Sequence, residues 1–433
     1  MDNRNMTVVQ TSDFRTDLME LKRVVVTGIG VLSPIGNNVP TMWEALLRGE
    51  SSADLITYFD TEKFRCKIAC ELKGYNPLDF FDRKEVNRLD RFTQYALVAV
   101  DEAVRDSHIF DSDIDKGRVG VIWGSGFGGI NTFQTESIEF YKGGYVPRFS
   151  PFFVPKTITD ICPGHISIKY GLRGANYSTS AACASSAVSL GEAFNLIRLG
   201  KADAVVTGGS EAPVSESGVG AFTSMQALSL RNDDPKTASR PFDKDRNGFV
   251  LGEGAAALIL EERDHAVARG AKIYAEMTGW GATADAYHIT APQPDGTGAA
   301  AAMRLAVEES QISLDDVVHI NSHGTSTPLG DAAEAKAIAS LFGSHAKDIT
   351  VNATKSMTGH LLGGAGSLEA IITILSVKND IIPPTINHFT DDPCVEPLDF
   401  TFNKPTKREV TYALSNAFGF GGHNVSLAFR KWD

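Results

Sequence analysis

A cysteine between very small residues is the first candidate for chemistry in this sequence. Cys183 lies in the stretch 178–187, STSAACASSA, which leads into an apolar helical pattern. Small neighbours leave room for an incoming substrate, and the first turn of a helix favours a thiolate over a thiol. We therefore predict a nucleophilic cysteine whose pKa is lowered from its usual value of about 8.5. The alternative is a small buried thiol without a chemical role.

Two histidines lie in similar loops. His323 is part of NSHGTSTP, directly after the apolar run VVHI, and His360 ends the segment TKSMTGH before a second apolar helical pattern. Loops at strand ends are where α/β proteins place their active-site groups. A lone histidine is more often structural, but two such histidines and a poised cysteine together predict a catalytic set.

A glycine-rich segment near the C-terminus alternates glycines with phenylalanines. Residues 415–424 read SNAFGFGGHN. Glycine lets backbone N–H groups come close to a ligand, so this loop is a candidate for an oxyanion hole beside an apolar ring. A tight turn before the last strand is the structural alternative, and the two interpretations are compatible.

Three other patterns resemble known sites but lack an essential residue. Cys66 and Cys70 have no second pair or histidine at zinc-site spacing. Residues 243–248, DKDRNG, begin like a calcium loop, yet the twelfth position is Gly254 instead of a glutamate. Ser33 replaces the third glycine of a dinucleotide fingerprint. We expect neither a metal nor an organic cofactor.

Strands and helices that alternate along the chain must position the candidate residues. Five β-branched or apolar runs end in glycine or polar residues, at 22–36, 117–126, 202–212, 254–262 and 315–325. Alanine-rich helical patterns lie between them, such as 91–106 and 298–311. This alternation predicts an α/β fold.

A weak internal repeat adds detail. The small polar segments 179–186 and 354–360 each precede a long apolar helix, and Cys183 and His360 lie at the two junctions. This similarity predicts two related halves packed face to face, with the division near residue 270.

Composition narrows the functional classes. The chain has 433 residues, 42% hydrophobic, and a formal net charge of -12. Such a charge argues against binding to nucleic acid or to an anionic membrane surface. The five scattered cysteines suggest a reducing compartment, and no apolar run is long enough to span a membrane, so we expect a cytoplasmic protein. Residues 1–20 are interpreted as a loose extension without a signal sequence.

One basic cluster stands out in this acidic chain. Residues 83–91 read RKEVNRLDR. Charge alone favours a solvated helix face. The second interpretation is a docking surface for an acidic partner.

Five motifs together carry a family resemblance: TSAACASS, RPFDKDRNGFVLGEGA, NSHGTSTPLGD, TKSMTGHLLGGAG and SNAFGFGGHN. From about Leu21 to the C-terminus the chain resembles the 3-oxoacyl-[acyl-carrier-protein] synthases, most closely the type 2 enzymes of bacterial fatty-acid synthesis. The resemblance implies an α/β thiolase-like fold with five α-β-α-β-α layers, a homodimer, and halves covering 21–270 and 271–433.

The resemblance also implies a reaction. Cys183 would take an acyl chain from acyl carrier protein, and His323 and His360 would decarboxylate a malonyl group and stabilise the resulting enolate. Lys355 and Glu369 match the supporting charged residues of the family. The product would be a 3-oxoacyl carrier protein two carbons longer, formed with loss of CO2.

Further roles follow from the same resemblance. The N–H groups of Cys183 and Phe420 would form the oxyanion hole, with Phe420 as a gate. Thr325 and Thr327 match residues along the phosphopantetheine and malonyl path. Phe127 is the candidate floor of the acyl pocket, where a smaller residue would admit longer chains.

Carrier docking is expected at Lys84 and Arg88, where the family presents basic residues to its acidic partner. The neighbouring Asn87 replaces a base often found there, so the expected docking surface has one positive charge fewer than is common in the family. His423 stands where threonine is common, and no function is assigned to it.

Three alternatives differ from a fatty-acid synthase. A polyketide-type ketosynthase would use the same Cys-His-His set. A thiolase would need a second cysteine near the C-terminus, which 418–424 lacks. A non-catalytic partner subunit would lack the nucleophile, whereas Cys183 is present.

Overall fold

A computed structural model describes residues 21–111 and 113–432, so the predicted extension 1–20 lies outside the described residues. The strands are β1 (Val24–Leu32), β2 (Asp54–Leu55), β3 (Ile68–Ala69), β4 (Val119–Gly124), β5 (Asn176–Thr179), β6 (Ala204–Glu211), β7 (Gly254–Glu262), β8 (Ala275–Ala284), β9 (Val317–Asn321), β10 (Thr350–Asn352), β11 (Ile381–Ile382), β12 (Asp399–Phe400), β13 (Thr406–Lys407), β14 (Tyr412–Gly419) and β15 (His423–Lys431).

The helices are α1 (Val39–Arg48), α2 (Arg83–Arg88), α3 (Arg91–Ser107), α4 (Ile130–Lys142), α5 (Phe153–Thr157), α6 (Ile161–Tyr170), α7 (Ser185–Arg198), α8 (Glu216–Ser224), α9 (Arg263–Ala268), α10 (Thr297–Glu309), α11 (Pro328–Phe342), α12 (Lys355–Thr358) and α13 (Ala365–Asn379). Short 3-10 helices cover Pro77–Asp79, Ile109–Asp111, Lys116–Arg118, Pro235–Thr237, Leu314–Asp316, Gly343–Asp348 and Leu362–Gly364. All five predicted strands are present, as are the helices predicted at 91–106 and 298–311 and those predicted after 179–186 and 354–360.

Eleven strands form one sheet in the order β12-β10-β9-β14-β15-β8-β1-β7-β6-β4-β5. Starting from β1, the pairings with β7 and then β6 are antiparallel, and those of β6 with β4 and β4 with β5 are parallel. Starting from β8, the series β15, β14, β9 and β10 repeats the same pattern of directions. Within 21–111 and 113–432, the strand pairing that joins the two halves of the sheet is that of 24–26 in β1 with 275–277 in β8.

Helices α7 and α13 lie between the two halves of the sheet. Helix α13 contacts β14 and β15 on one side and β6 and β7 on the other, while α3 covers the first half and α10 covers the second from outside. Residues 365–377 of α13 are buried on every side, as a helix between two sheets requires. The five α-β-α-β-α layers of a thiolase-like fold are therefore present. The division near residue 270, between α9 and β8, stays a prediction, because the pairing of β1 with β8 joins both halves in one sheet.

The central layer leaves no room for a side chain at one position of α7. A Cβ atom added at Gly191 would lie 2.2 Å from a ring atom of Trp280 in β8. Trp280 is fixed by its backbone N–H, which donates to Glu309 at 2.9 Å, and by its indole N–H, which donates to Asn195 at 3.3 Å. Glycine is therefore needed for α7 to approach the second half of the sheet.

Among residues 21–111 and 113–432, no helix has both the length and the apolar character required to cross a bilayer.

We predict that Gly191→Ala lowers the free energy of unfolding by about 1–3 kcal/mol, because the added methyl group overlaps Trp280. The matched control is Gly164→Ala within α6, where an added Cβ meets nothing within 4 Å. There the better helix propensity of alanine should leave stability unchanged or raise it by up to about 1 kcal/mol. Denaturant unfolding of both variants measures the difference, and equal effects would contradict tight packing at Gly191.

Candidate active site

Four segments converge on one cavity of about 580 Å³. Cys183 follows β5, His323 follows β9, His360 follows β10, and the turn between β14 and β15 closes the fourth side. The carboxyl ends of parallel strands form such crevices in α/β sheets. The catalytic set predicted from sequence is therefore brought together, although its members are 140 and 177 residues from Cys183 along the chain.

Cys183 is presented on a sharp turn before α7. The preceding residue, Ala182, has φ 49°, a left-handed conformation that alanine rarely adopts. Ser185 secures the turn, because its hydroxyl accepts from the N–H of Ala181 at 2.9 Å and donates to the carbonyl of Ala182 at 2.7 Å. Strained backbone that is held in this way is typical of functional sites.

The electrostatic setting of Cys183 differs from the sequence prediction. Burial raises the pKa of its thiol to about 12, against the opposing influence of Lys355 and of the backbone N–H groups of Phe420 and Cys183. The predicted lowering was wrong because it considered the helix terminus without the desolvation of the sulfur. The resting side chain is therefore a neutral thiol.

The same two N–H groups form the candidate oxyanion hole. Those of Phe420 and Cys183 both favour negative charge at the sulfur, so both are directed at its immediate surroundings. Gly419 makes this approach possible, because a Cβ atom there would lie 2.7 Å from the carbonyl oxygen of Ala181 and 3.1 Å from the nitrogen of Cys183. Phe420 itself lines the cavity.

The two histidines form a neutral pair beside the cysteine. Their ring centroids are 5.3 Å apart with planes at 83°. Burial lowers the pKa of both His323 and His360 well below the usual range, and the charge of Lys355 acts in the same direction. The N–H of Leu362 donates to Nδ1 of His360 at 3.3 Å, so the neutral ring carries its proton on Nε2. His360 can thus donate a hydrogen bond without being charged.

Lys355 and Glu369 form a buried ion pair beneath these rings. Lys355 Nζ also donates to the carbonyl oxygen of His323 at 2.6 Å. Burial raises the pKa of Glu369 to about 7, with Lys355 acting in the opposite direction. Neither side chain lines the cavity. Their geometry suits a supporting role for the histidine loop and for the local field, without contact with a substrate.

Glu334 in α11 was missed by the sequence analysis. Its carboxylate accepts from the N–H groups of His323 at 2.8 Å and Gly324 at 2.9 Å, and from the Asn416 amide at 3.1 Å. It therefore fixes the backbone that carries His323. The available signal was an acidic residue within the alanine-rich run AAEAKAIA, which allows a buried carboxylate but does not identify its partners.

Of the three other residues predicted to contact the substrate, two line the cavity and one does not. Thr325 and Thr327 line the cavity, with their hydroxyl oxygens 3.0 Å apart. Phe127 does not line it. Its ring instead packs edge-on against Phe222, at 5.7 Å between centroids, and Phe222 is part of the cavity wall.

The predicted docking residues lie on a separate surface. Lys84, Asn87 and Arg88 are exposed on the short helix α2, which begins with a capping box between Asp82 and Glu85. None of these five residues lines the cavity. This surface can therefore contact a macromolecule while the cavity holds a substrate.

We predict that alkylation of Cys183 by iodoacetamide becomes about tenfold faster per pH unit between pH 7 and 9, because only a small thiolate fraction is present below a pKa of about 12. Peptide mass spectrometry measures the modified fraction with time, and Cys183→Ser identifies the peptide. A rate that reaches a plateau below pH 9 would contradict the raised pKa.

Comparison with known proteins agrees with this geometry. The profile of the beta-ketoacyl synthase N-terminal domain matches residues 21–266, and that of the C-terminal domain matches 274–389. The chain is 49% identical to the 3-oxoacyl-[acyl-carrier-protein] synthase 2 of Staphylococcus aureus, over 95% of this chain and 99% of that protein. It is 45% identical to the Synechocystis protein of the same name, over 96% of this chain and 99% of the relative.

Solved structures give the same result. A beta-ketoacyl synthase from Burkholderia phymatum aligns with a TM-score of 0.89 at 34% identity, covering 95% of this chain and 100% of the relative. A type II polyketide ketosynthase described in complex with its acyl-carrier protein aligns with a TM-score of 0.88 at 32% identity, with the same coverage. Two domain profiles that together span more than half of the chain, and relatives at this identity over nearly its whole length, place the chain in the beta-ketoacyl synthase family.

Proposed function

We propose that this chain is a 3-oxoacyl-[acyl-carrier-protein] synthase, which condenses an acyl chain with a decarboxylated malonyl group. The observation that carries the proposal is the convergence of Cys183, His323 and His360 on one cavity, with two backbone N–H groups directed at the sulfur. The relatives at 49% identity support the fatty-acid substrate class.

The first step loads the enzyme. The sulfur of Cys183 attacks the thioester carbonyl of an acyl carrier protein, and the oxyanion that forms accepts hydrogen bonds from the N–H groups of Cys183 and Phe420. When the tetrahedral intermediate collapses, the carrier thiolate leaves and receives the proton that the Cys183 thiol gave up. The acyl group is then a thioester of Cys183.

The second step generates the nucleophile. A malonyl thioester loses CO2, and the electron pair of the broken C–C bond moves onto the thioester oxygen as an enolate. Neutral imidazole N–H donors at His323 and His360 would stabilise this oxygen by about 3 kcal/mol each. The lowered pKa of both rings fits this role, because a cationic imidazole would transfer its proton to the enolate instead of holding it.

The third step forms the new bond. The enolate carbon attacks the acyl carbonyl on Cys183, and the oxyanion again lies between the two backbone N–H groups. Collapse releases the 3-oxoacyl carrier protein, and the Cys183 thiolate takes up one proton to restore the resting thiol. The raised pKa of Cys183 favours that last protonation.

Binding and support are assigned to the surrounding residues. Thr325 and Thr327 would contact the phosphopantetheine arm from the cavity wall, with Phe420 as the gate beside them. Lys355 and Glu369 would hold the histidine loop, since Lys355 donates to the His323 carbonyl oxygen.

Acyl carrier protein is the proposed partner. Lys84 and Arg88 are exposed bases in a chain of net charge -12, and local complementarity would orient an acidic carrier at this surface. Arg88 lies 5.1 Å above the ring of Phe152, which limits the movement of its guanidinium group. A solved relative, the type II polyketide ketosynthase, is described in complex with an acyl-carrier protein.

A homodimer is proposed from two surface features. The last strand of the sheet, β5, has an unpaired edge among the described residues. Exposed apolar side chains cluster along α4 and α5, including Phe133, Tyr141 and Val154. Unpaired edges and apolar patches of this kind are usually covered by a partner, here a second copy.

A cytoplasmic location is proposed because all five cysteines are unpaired.

A polyketide-type ketosynthase is the second candidate. A solved type II polyketide ketosynthase has the same fold, but it shares 32% identity with this chain, compared with 49% for the 3-oxoacyl-[acyl-carrier-protein] synthase 2 of Staphylococcus aureus.

We predict that the wild-type protein converts a medium-chain acyl carrier protein and malonyl carrier protein into the 3-oxoacyl product two carbons longer, measured by intact mass spectrometry. Cys183→Ala should give no product and no acylated enzyme. His323→Ala and His360→Ala should each lower kcat by about 100-fold or more, through loss of an enolate donor.

The matched control for the nucleophile is Cys66→Ala. Cys66 is a buried thiol of the same apolar cluster and does not line the cavity, so kcat should stay within about twofold. A wild-type protein that is never acylated at Cys183, across a range of chain lengths, would contradict the proposed function.

We predict that Phe127→Ala extends the accepted chain length, because Phe222 can then move away from the cavity. The ratio of kcat/KM for long over short acyl chains should rise by about tenfold. Phe80→Ala is the control, since Phe80 is also partly exposed, 49% against 38% for Phe127, and does not line the cavity. An unchanged acyl-length preference in Phe127→Ala would exclude Phe127 as a determinant.

A further inference from the structure

The motif RPFDKDRNG, at residues 240–248, has no role in the reaction described above. It resembles the start of a calcium loop, but the Asp243 carboxylate is already occupied. It accepts from the N–H groups of Asp245 at 2.9 Å, Phe389 at 2.7 Å and Thr390 at 2.9 Å. The motif packs against the loop 324–330, which carries the two threonines of the cavity.

Arg246 is the main link between the motif and that loop. Its Nε donates to the carbonyl oxygen of Thr327 at 3.1 Å, and Nη2 donates to that of Pro328 at 2.7 Å. Nη1 donates to the carbonyl oxygen of Asp243 at 2.8 Å and to the Asp392 carboxylate at 2.5 Å. Every nitrogen of the guanidinium group is used, and two of them hold the backbone at and after Thr327.

Asp331 secures the other end of the loop. Its carboxylate is fully buried and accepts from the N–H groups of Ser326 at 3.1 Å and Phe242 at 2.9 Å. It lies 3.5 Å from Nε of Arg246. Ser326 has φ 67° and Phe242 has φ 66°, left-handed conformations that neither residue type favours. Such backbone persists only where the surroundings hold it.

Ser326 is fixed through each of its polar groups. Besides the bond to Asp331, its carbonyl oxygen accepts from the N–H of Gly248 at 3.0 Å, and its hydroxyl oxygen accepts from the N–H of Arg240 at 3.0 Å. Thr325 and Thr327 lie on either side of this fixed residue. Their hydroxyl groups therefore keep one relative position in the cavity, before any substrate binds.

We propose, building on the condensing function above, that Arg246 and Asp331 are positioning residues for binding of the malonyl thioester. They hold the loop so that Thr325 and Thr327 meet the pantetheine arm without first being ordered by it. Preorganisation of this kind strengthens binding because the ligand does not have to fix the loop. Its loss should raise KM and leave the chemical step nearly unchanged.

The test compares two arginines of the motif, both 5% exposed. Arg246→Lys keeps the charge, but its three donors on a single nitrogen cannot replace the four hydrogen bonds that Arg246 makes from three nitrogens. Arg240→Lys is the matched control, because the Arg240 side chain donates to Thr237 and lies 3.7 Å from Asp243 without bonding to the loop 324–330. We expect Arg246→Lys to raise KM for malonyl carrier protein about tenfold, with kcat within about twofold. Arg240→Lys should change neither constant.

A second variant covers the case in which Arg246→Lys does not fold. Asp392→Asn removes the charge that faces Nη1 of Arg246 while keeping an acceptor of the same size, and Asp392 is partly open to solvent. Asp392→Asn should also raise KM for malonyl carrier protein, by about threefold, without a large change in kcat.

A double variant of Arg246 and Thr327 distinguishes a loss of loop positioning from a general loss of protein stability. Because Arg246 bonds to the carbonyl oxygen of Thr327, Arg246→Lys introduced into Thr327→Val should raise KM by less than it does in the wild-type protein. Amide hydrogen exchange gives a readout without catalysis. Arg246→Lys should increase exchange at Ser326 and Gly248 by about tenfold, and Arg240→Lys should not.

The outcomes are distinct. An unchanged KM in a folded Arg246→Lys protein, or fully additive effects with Thr327→Val, would overturn the positioning role. A lower kcat with unchanged KM would do the same. A wild-type protein without condensing activity would contradict the proposed function. In that case, faster amide hydrogen exchange in the Arg246→Lys protein, but not in the Arg240→Lys protein, would still support the inferred restraint of the loop 324–330.

Discussion

Helices α7 and α13 lie between the two halves of the sheet, and the rest of the site depends on this central layer. Cys183 and His360 lie just before the parts of the chain that form these helices, so packing of the layer brings the two side chains to one cavity. The packing is close: Gly191 of α7 meets Trp280, and a Cβ atom at Gly366 of α13 would lie 2.8 Å from the backbone nitrogen of Ala187. The helical layer therefore determines the distance between the side chains of Cys183 and His360.

Burial in this layer also sets the protonation states. Desolvation raises the pKa of Cys183 and lowers that of His323 and His360, so the resting site holds a thiol and two neutral imidazoles. The positive charge nearest to them, Lys355, is paired with Glu369 and kept out of the cavity. A site of neutral donors is suited to stabilising negative charge that develops during the reaction without quenching it.

A second group of interactions maintains the loop after β9. Glu334 binds the backbone N–H groups at His323 and Gly324, Asp331 binds the N–H of Ser326, and Arg246 binds the carbonyl oxygen of Thr327. Consecutive parts of one loop are thus held by three buried charged side chains that do not react. Buried charges of this kind persist when each is paired and hydrogen-bonded, and here they give a strained loop a single conformation.

The fold class could be predicted from the sequence because strand and helix periodicity is local, and Cys183, His323 and His360 could be named as candidates because they stand in segments of small residues. The sequence also supported the positions of Thr325 and Thr327 through the resemblance. The pKa of Cys183 could not be predicted in this way, because it depends on desolvation by distant residues and is raised instead of lowered. Only the tertiary structure placed Phe127 behind Phe222, and it alone revealed Glu334, Asp331 and Arg246. Their roles depend on hydrogen bonds to backbone groups up to 89 residues away, which no local pattern encodes.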